Sequence, residues 1–186
     1  MNPTATEILT NPHPKGHIVY PYTDETHVAD AVSLFASAGL RKGETVLLIM
    51  ASSHYDPIRE RLESSGFDLA ALEASGQLIC EDAAGLLSTF VFNGTVDENE
   101  FKTSLIGMIE KAKIGQDGNE RPVRVFGEMV DLLWKADPLT TQRLEELWND
   151  VIEAESVPLL CAYSLAGTKH SDFPEALIAC HSHSIS

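Results

Sequence analysis

Short, wholly apolar runs alternate along the chain with segments whose apolar positions recur every three or four residues. His17–Tyr22 (HIVYPY) predicts a first strand. Glu44–Met50 predicts a second, apolar after its first two residues, as in a strand covered on both faces. Leu78–Cys80, Pro122–Phe126 and Val157–Tyr163 predict three more. Helical spacing fills the intervals. Thr23–Gly39 carries a stripe of Val28, Ala31, Val32 and Phe35, with Thr23 as cap, Asp24 and Glu25 at the positive end of the dipole, and Gly39 as the stop. Ser53–Ser65 predicts a helix ended by Gly66, and Gly85–Phe92 another. Asp97–Ile114 aligns Phe101, Leu105, Met108, Ile109 and Ala112 on one face. Asp137-Pro138 opens a long helix with Leu144, Leu147, Trp148, Val151 and Ile152 inward, and Asp172–Ala179 predicts a last helix before the tail Cys180–Ser186. Met1–Lys15, with Pro3, Pro12 and Pro14, reads as a leader without fixed structure.

Strands alternating with helices specify a parallel sheet with helices on both faces. The fold class is therefore α/β. One domain is expected over 16–186, behind a flexible leader over 1–15, around a mostly parallel central sheet of at least five strands.

Composition narrows the functional classes. The chain has 186 residues, 28 acidic and 13 basic, for a net charge of −15. Nucleic-acid binding needs clustered Lys and Arg to displace counterions, so it is not expected. At 44% hydrophobic residues the chain is too apolar for a disordered acidic tail. No apolar run reaches the roughly 18 residues of a membrane span, and Met1–Gly16 lacks the apolar stretch of a signal peptide. The expectation is a cytoplasmic protein with no membrane contact. Cys80, Cys161 and Cys180 are odd in number, and the first two sit in apolar runs, as reduced buried thiols do.

Ligands of such sheets bind beyond the carboxyl ends of the strands. Tyr22 and Thr23, Ser52 to His54, Glu81 and Asp82, Gly127 to Met129, and Ser164 fall there. The first strand end is followed by Pro-Tyr-Thr-Asp-Glu, with two carboxylates where a phosphate would sit, and no GxGxxG occurs. This argues against conventional nucleotide hydrolysis. Glu128, between an apolar strand and Met129-Val130-Asp131-Leu132-Leu133-Trp134, reads as a polar anchor in a ligand cleft or a general base. The simpler alternative is a carboxylate satisfied by a helix dipole or by backbone donors. His54 donates to a ligand or orients Glu128; otherwise Ser52–His54 is a capping segment tied by Ser53 and Asp56.

Tyr20 and Tyr22 point to one face of the first strand and form an aromatic wall if that face is open. His17 starts the same strand, on the opposite rim, and reads as a solvent-edge or satisfied histidine. Cys180-His181-Ser182-His183 lacks the distant second ligand pair that zinc sites use, so no metal is assigned. There is no GxSxG, the cysteines lie in hydrophobic strands, and no acid/base pair can be placed. The residues predict no enzyme, no catalytic group and no cofactor.

The run Gly39-Leu40-Arg41-Lys42-Gly43-Glu44-Thr45-Val46-Leu47-Leu48 resembles the approach to the second strand of RecA/KaiC-like domains. The ordered set of His17-Ile18-Val19-Tyr20, that run, Ser52-Ser53-His54, Val123–Met129, Leu144–Asn149, Leu159–Tyr163 and His181-Ser182-His183 resembles the MEDS domain, the methanogen/methylotroph DcmR-type sensory domain. The likeness spans about residues 17 to 184. It implies a RecA/KaiC-like fold without its phosphate-binding loop, and a sensor of hydrocarbon derivatives that works beside histidine kinases and DNA-binding regulators. No phosphoacceptor region or basic DNA-reading helix is evident, so output is expected from another chain or from a part beyond Ser186.

The expectation is a non-catalytic sensory domain binding a small-molecule ligand at the carboxyl end of its sheet, shifting a helix or a homodimer contact. Glu128 and His54 are its anchors, with Tyr20, Tyr22, Tyr163 and Met129 beside them. The alternatives are an interaction module on a degenerate ATPase fold and a cryptic nucleotide enzyme.

Overall fold

The computed structural model describes residues 3–116, 118–169 and 172–185. Met1 and Asn2 of the expected leader and Ser186 of the tail lie outside them. Six strands form one sheet: β1 (His17–Tyr22), β2 (Thr45–Met50), β3 (Leu78–Asp82), β6 (Val123–Gly127), β7 (Leu159–Ser164) and β8 (His183–Ser184). Their spatial order is β3-β2-β6-β7-β1-β8, and each neighbouring pair is parallel.

The two-residue period of the strands sorts their side chains into two cores. Ile18, Tyr22, Val46, Leu48, Met50, Phe126, Leu160 and Ala162 face α1 (Ala5–Thr10), α2 (Glu25–Arg41), α3 (Ser52–Ser64) and α4 (Leu69–Ser75). Val19, Leu47, Ile49, Val123, Val125, Leu159, Cys161 and Tyr163 face α5 (Ala83–Leu87), α6 (Glu98–Lys113), α7 (Pro138–Glu155) and α8 (Glu175–Ala179). The α/β layering read from the sequence is thus the architecture observed.

Several local expectations change. The leader is not structureless: residues Ala5–Thr10 are helical, with a capping box between Thr4 and Glu7, and Leu9 is buried in the α2-side core. Its prolines flank that helix rather than interrupt it. Asp24, not Thr23, caps α2, and Gly39 does not stop it. A Cβ on Gly39 would lie 2.4 Å from Arg124 Nε, so glycine there makes room for a buried guanidinium. That group donates to Glu44 and to the carbonyl of Phe35 (2.7 Å), and sits 4.9 Å above the Phe35 ring.

The segment Gly85–Phe92 is not one helix. It divides into α5 and β4 (Val91–Phe92), which pairs antiparallel with β5 (Thr95–Val96) across Asn93 and Gly94, both at positive φ. Asn-Gly is the strongest short hairpin signal and overrides the weak apolar period before it. The tail adds a further strand to the sheet: β8 pairs with β1 through Ile18–His183 and Val19–Ser184.

Candidate functional site

At the carboxyl edge only Thr23 and Asp24 separate β1 from α2. Asp24 Oδ1 accepts the Thr26 N–H at 2.7 Å, so a carboxylate already fills the helix start. Glu128 follows β6 and is 2% exposed. Its backbone N–H donates to the Ile49 carbonyl at 2.9 Å. Its Oε2 accepts the Ala51 N–H at 2.8 Å, and its Oε1 accepts from His54 Nδ1 at 2.5 Å.

His54 Nε2 donates in turn to the exposed carboxylate of Glu25. Both ring nitrogens therefore face carboxylates. The Glu128 hydrogen bond, aided by the Glu128 and Glu25 charges against the cost of burial, raises the imidazole to about 9. These bonds replace the expected cap, because Ala51, at the N-cap of α3, makes no side-chain capping bond and neither Ser53 nor Asp56 ties the start down.

Tyr22 stands edge-on to His54 with ring centroids 6.3 Å apart, and Tyr20 lies 6.2 Å from Tyr22. Burial chiefly, then the charges of Asp131, Glu128 and Glu25, raise the Tyr22 hydroxyl. Glu128, His54, Tyr22 and Tyr20 thus gather where β1, β2 and β6 end. Met129 and Tyr163 do not join them. Both pack into the core on the other face of the sheet, so they form no wall with Tyr20 and Tyr22.

A cleft of about 490 Å³ opens beside this edge, beyond β2 and β3, lined by Ala51, Met50, Cys80, Tyr55 and the acids Asp56, Glu81 and Asp82. Asp82 also accepts the Gly85 N–H at 2.6 Å, which caps α5. Burial, foremost, raises the Cys80 thiol to about 11. A larger hollow of about 750 Å³ shares Tyr55 and Cys80 with this cleft and runs along β3 past Gly76, Leu78, Lys111 and Gln116.

A second polar cluster lies buried under α7. His17 is not at a solvent edge; it is 2% exposed and touches Asn149, Cys161 and Glu145. Glu145 is fully buried, and burial alone would push its carboxyl up. Were His181 and His17 both protonated, their charges would outweigh that and hold it below the ordinary range. Tyr163 donates its hydroxyl to Glu145, and burial followed by that carboxylate raises it strongly.

The Cys180–His183 stretch does not act as one fragment. His181 turns inward to this cluster, Ser182 bonds the backbone of His17, and His183 belongs to β8. Sequence reasoning missed the cluster. Two signals existed: Glu145 beside the apolar stripe of α7, and Cys161 alternating in register with Tyr163.

No curated protein matches the chain. Among solved structures, a KaiC-like protein from the hyperthermophilic archaeon Pyrococcus horikoshii OT3 superposes with a TM-score of 0.57 at 13% identity, over 83% of this chain and 63% of that protein. The likeness shows a KaiC-like fold, and the chain spans less than two thirds of that protein's length. Among the described residues no helix is long and apolar enough to cross a membrane. The family model of the methanogen/methylotroph DcmR sensory domain matches residues 16–182, a span that holds every strand of the sheet except β8, the carboxyl-edge residues and the cluster under α7, and the chain therefore belongs to the MEDS sensory-domain family.

Proposed function

We propose that this sensory domain binds a small neutral or cationic organic molecule in the cleft beyond β2 and β3, without catalysis. Ala51 carries the reading: it lines the cleft, and its N–H is held by Glu128. A molecule pressing on Met50, Ala51 or Ser52 moves the start of α3 against the Glu128–His54–Glu25 chain, which reaches α2. A ligand transmits a signal only by favouring one of two states, and this junction supplies the element to bias. Met50 and Cys80 give the cleft an apolar floor suited to hydrocarbon derivatives, while Asp56, Glu81 and Asp82 oppose anions. Asp24, seated on the α2 start, opposes a phosphate there in the same way. The shifted helices relay to a histidine kinase or transcription regulator, with a homodimer contact as one route.

Ligand-observed NMR with short-chain alcohols, amines and halocarbons tests the placement. Members of the panel bind the wild-type chain, and Cys80→Phe, which fills the floor, abolishes their signals. Equal binding by Cys80→Phe moves the site elsewhere, and tight binding of magnesium ATP overturns the reading of the α2 start.

One observation favours an interaction module as the second reading. Phe92 and Leu139 are 55% and 81% exposed. They flank the contact in which Thr140 donates its hydroxyl to the Gly94 carbonyl at 2.6 Å.

A further inference from the structure

His17, Glu145, Cys161 and His181 come from β1, α7, β7 and the segment after α8. Their nearest ligand-type atoms all lie within 4.8 Å of one another. The separations are 3.1 Å from His17 Nε2 to Glu145 Oε2, 3.4 Å from His17 Nε2 to Cys161 Sγ, 3.7 Å from Cys161 Sγ to Glu145 Oε2 and 3.3 Å from His181 Nε2 to Glu145 Oε1. A tetrahedron with metal–nitrogen bonds of about 2.0 Å and a metal–sulfur bond of about 2.3 Å has edges of about 3.3–3.8 Å. Three donors, His17 Nε2, Glu145 Oε2 and Cys161 Sγ, already stand close to the edges of one coordination sphere, and His181 Nε2 lies beside the other oxygen of the same carboxylate.

Hydrogen bonding on the far side of each imidazole fixes what its near side offers. Asn149 donates its amide to the Cys180 carbonyl at 3.0 Å, which turns its Oδ1 toward His17 Nδ1, also at 3.0 Å. The Leu177 carbonyl, which can only accept, lies 2.7 Å from His181 Nδ1. Both Nδ1 atoms therefore carry the proton. In the neutral rings both Nε2 lone pairs then point at Glu145, acceptor against acceptor. His181 shows the consequence: its side chain is fully buried and its Nε2 makes no hydrogen bond.

Protons answer this poorly. Two imidazolium ions against one carboxylate leave an uncompensated positive charge in the core, which is costly. A divalent cation bound by one carboxylate and one thiolate leaves none.

We propose that His17, Glu145, Cys161 and His181 bind a single divalent transition-metal ion, zinc by the nature of the donors. Two imidazoles, a thiolate and a carboxylate suit zinc, whereas calcium and magnesium take oxygen ligands throughout. Four protein donors close the sphere, as in structural sites. Asn149, the Leu177 carbonyl and the Tyr163 hydroxyl orient the ligands as an outer shell does. On binding, the Cys161 S–H bond breaks, a sulfur–metal bond forms, and the proton leaves to solvent. The ion fastens the segment after α8, and with it β8, to β1 and β7. This site lies on the opposite face of the sheet from the proposed ligand cleft and does not depend on it.

The test uses the full chain, stripped with chelator and then titrated with zinc or cobalt(II). One zinc per chain is expected by native mass spectrometry, with a proton released in calorimetry and a thermal midpoint raised over the stripped form. The cobalt form shows a tetrahedral visible spectrum and a thiolate charge-transfer band. Cys161→Ser loses that band, while Cys80→Ser and Cys180→Ser keep it. Failure of the stripped wild-type chain to take up zinc overturns the proposal even if the variants misfold. So does a charge-transfer band that survives Cys161→Ser, or one that depends on Cys180.

Discussion

The His54–Glu128 pair makes stability depend on pH in a direction opposite to that of most carboxylate pairs. In the unfolded chain His54 titrates near 6.5, and in the folded protein it is raised to about 9. Its contribution is complete below the unfolded value and disappears as pH rises through the folded one. A shift of that size corresponds to about 3 kcal/mol as a ceiling. The His54 side chain is 12% exposed but its partner Glu25 is 64% exposed, so solvent screening reduces the expected contribution to about 1–2 kcal/mol. Urea denaturation near pH 6 and near pH 9.5, on the wild type and on His54→Gln, isolates the effect. The wild type is expected to lose about 1–2 kcal/mol more than the variant between those values. Groups that titrate elsewhere in the chain cancel in the comparison. Parallel losses in the two proteins would refute the assignment of His54 as a cation held between Glu128 and Glu25. A variant that gains relative to the wild type at low pH would refute the sign.

Gly39→Ala places a methyl group 2.4 Å from Arg124 Nε and is expected to cost about 2–4 kcal/mol in urea denaturation, because the displaced guanidinium leaves Glu44 and the Phe35 carbonyl. Leu9→Ala should cost about 2–3 kcal/mol and speed amide exchange throughout α1, since Leu9 anchors that helix in the α2-side core. Neutral iodoacetamide should label Cys80 slowly, because its thiol is raised to about 11, and Cys161 not at all while the protein is folded, as mass spectrometry of the digested adducts will show. A cleft ligand should protect Cys80 and leave Cys180 labelling unchanged.

The layering was legible because burial imposes its period on the residues locally. β1 occupies the residues its apolar run predicted, and α7 begins at the Asp137-Pro138 signal. The proximity of Glu128 and His54 was legible too, since both follow strands that a parallel sheet brings to one edge. The hairpin at Asn93-Gly94 was written in the sequence and outweighed there by a weaker pattern.

Other features had no local signature. Gly39 reads as a helix stop until Arg124, from a strand far along the chain, is seen to need its missing side chain. The leader gains its helix only because Leu9 has a core to enter. His17 and the tail are joined by Ser182, 165 positions away, and His181 reaches Glu145 only once β8 lies along β1.

The sequence alone determined what repeats with the period of a strand or a helix, because that pattern is the direct imprint of one buried face. Tertiary structure alone decided which polar groups meet across elements. That depends on strand order and on the path of the tail, and neither leaves a periodic trace in the chain.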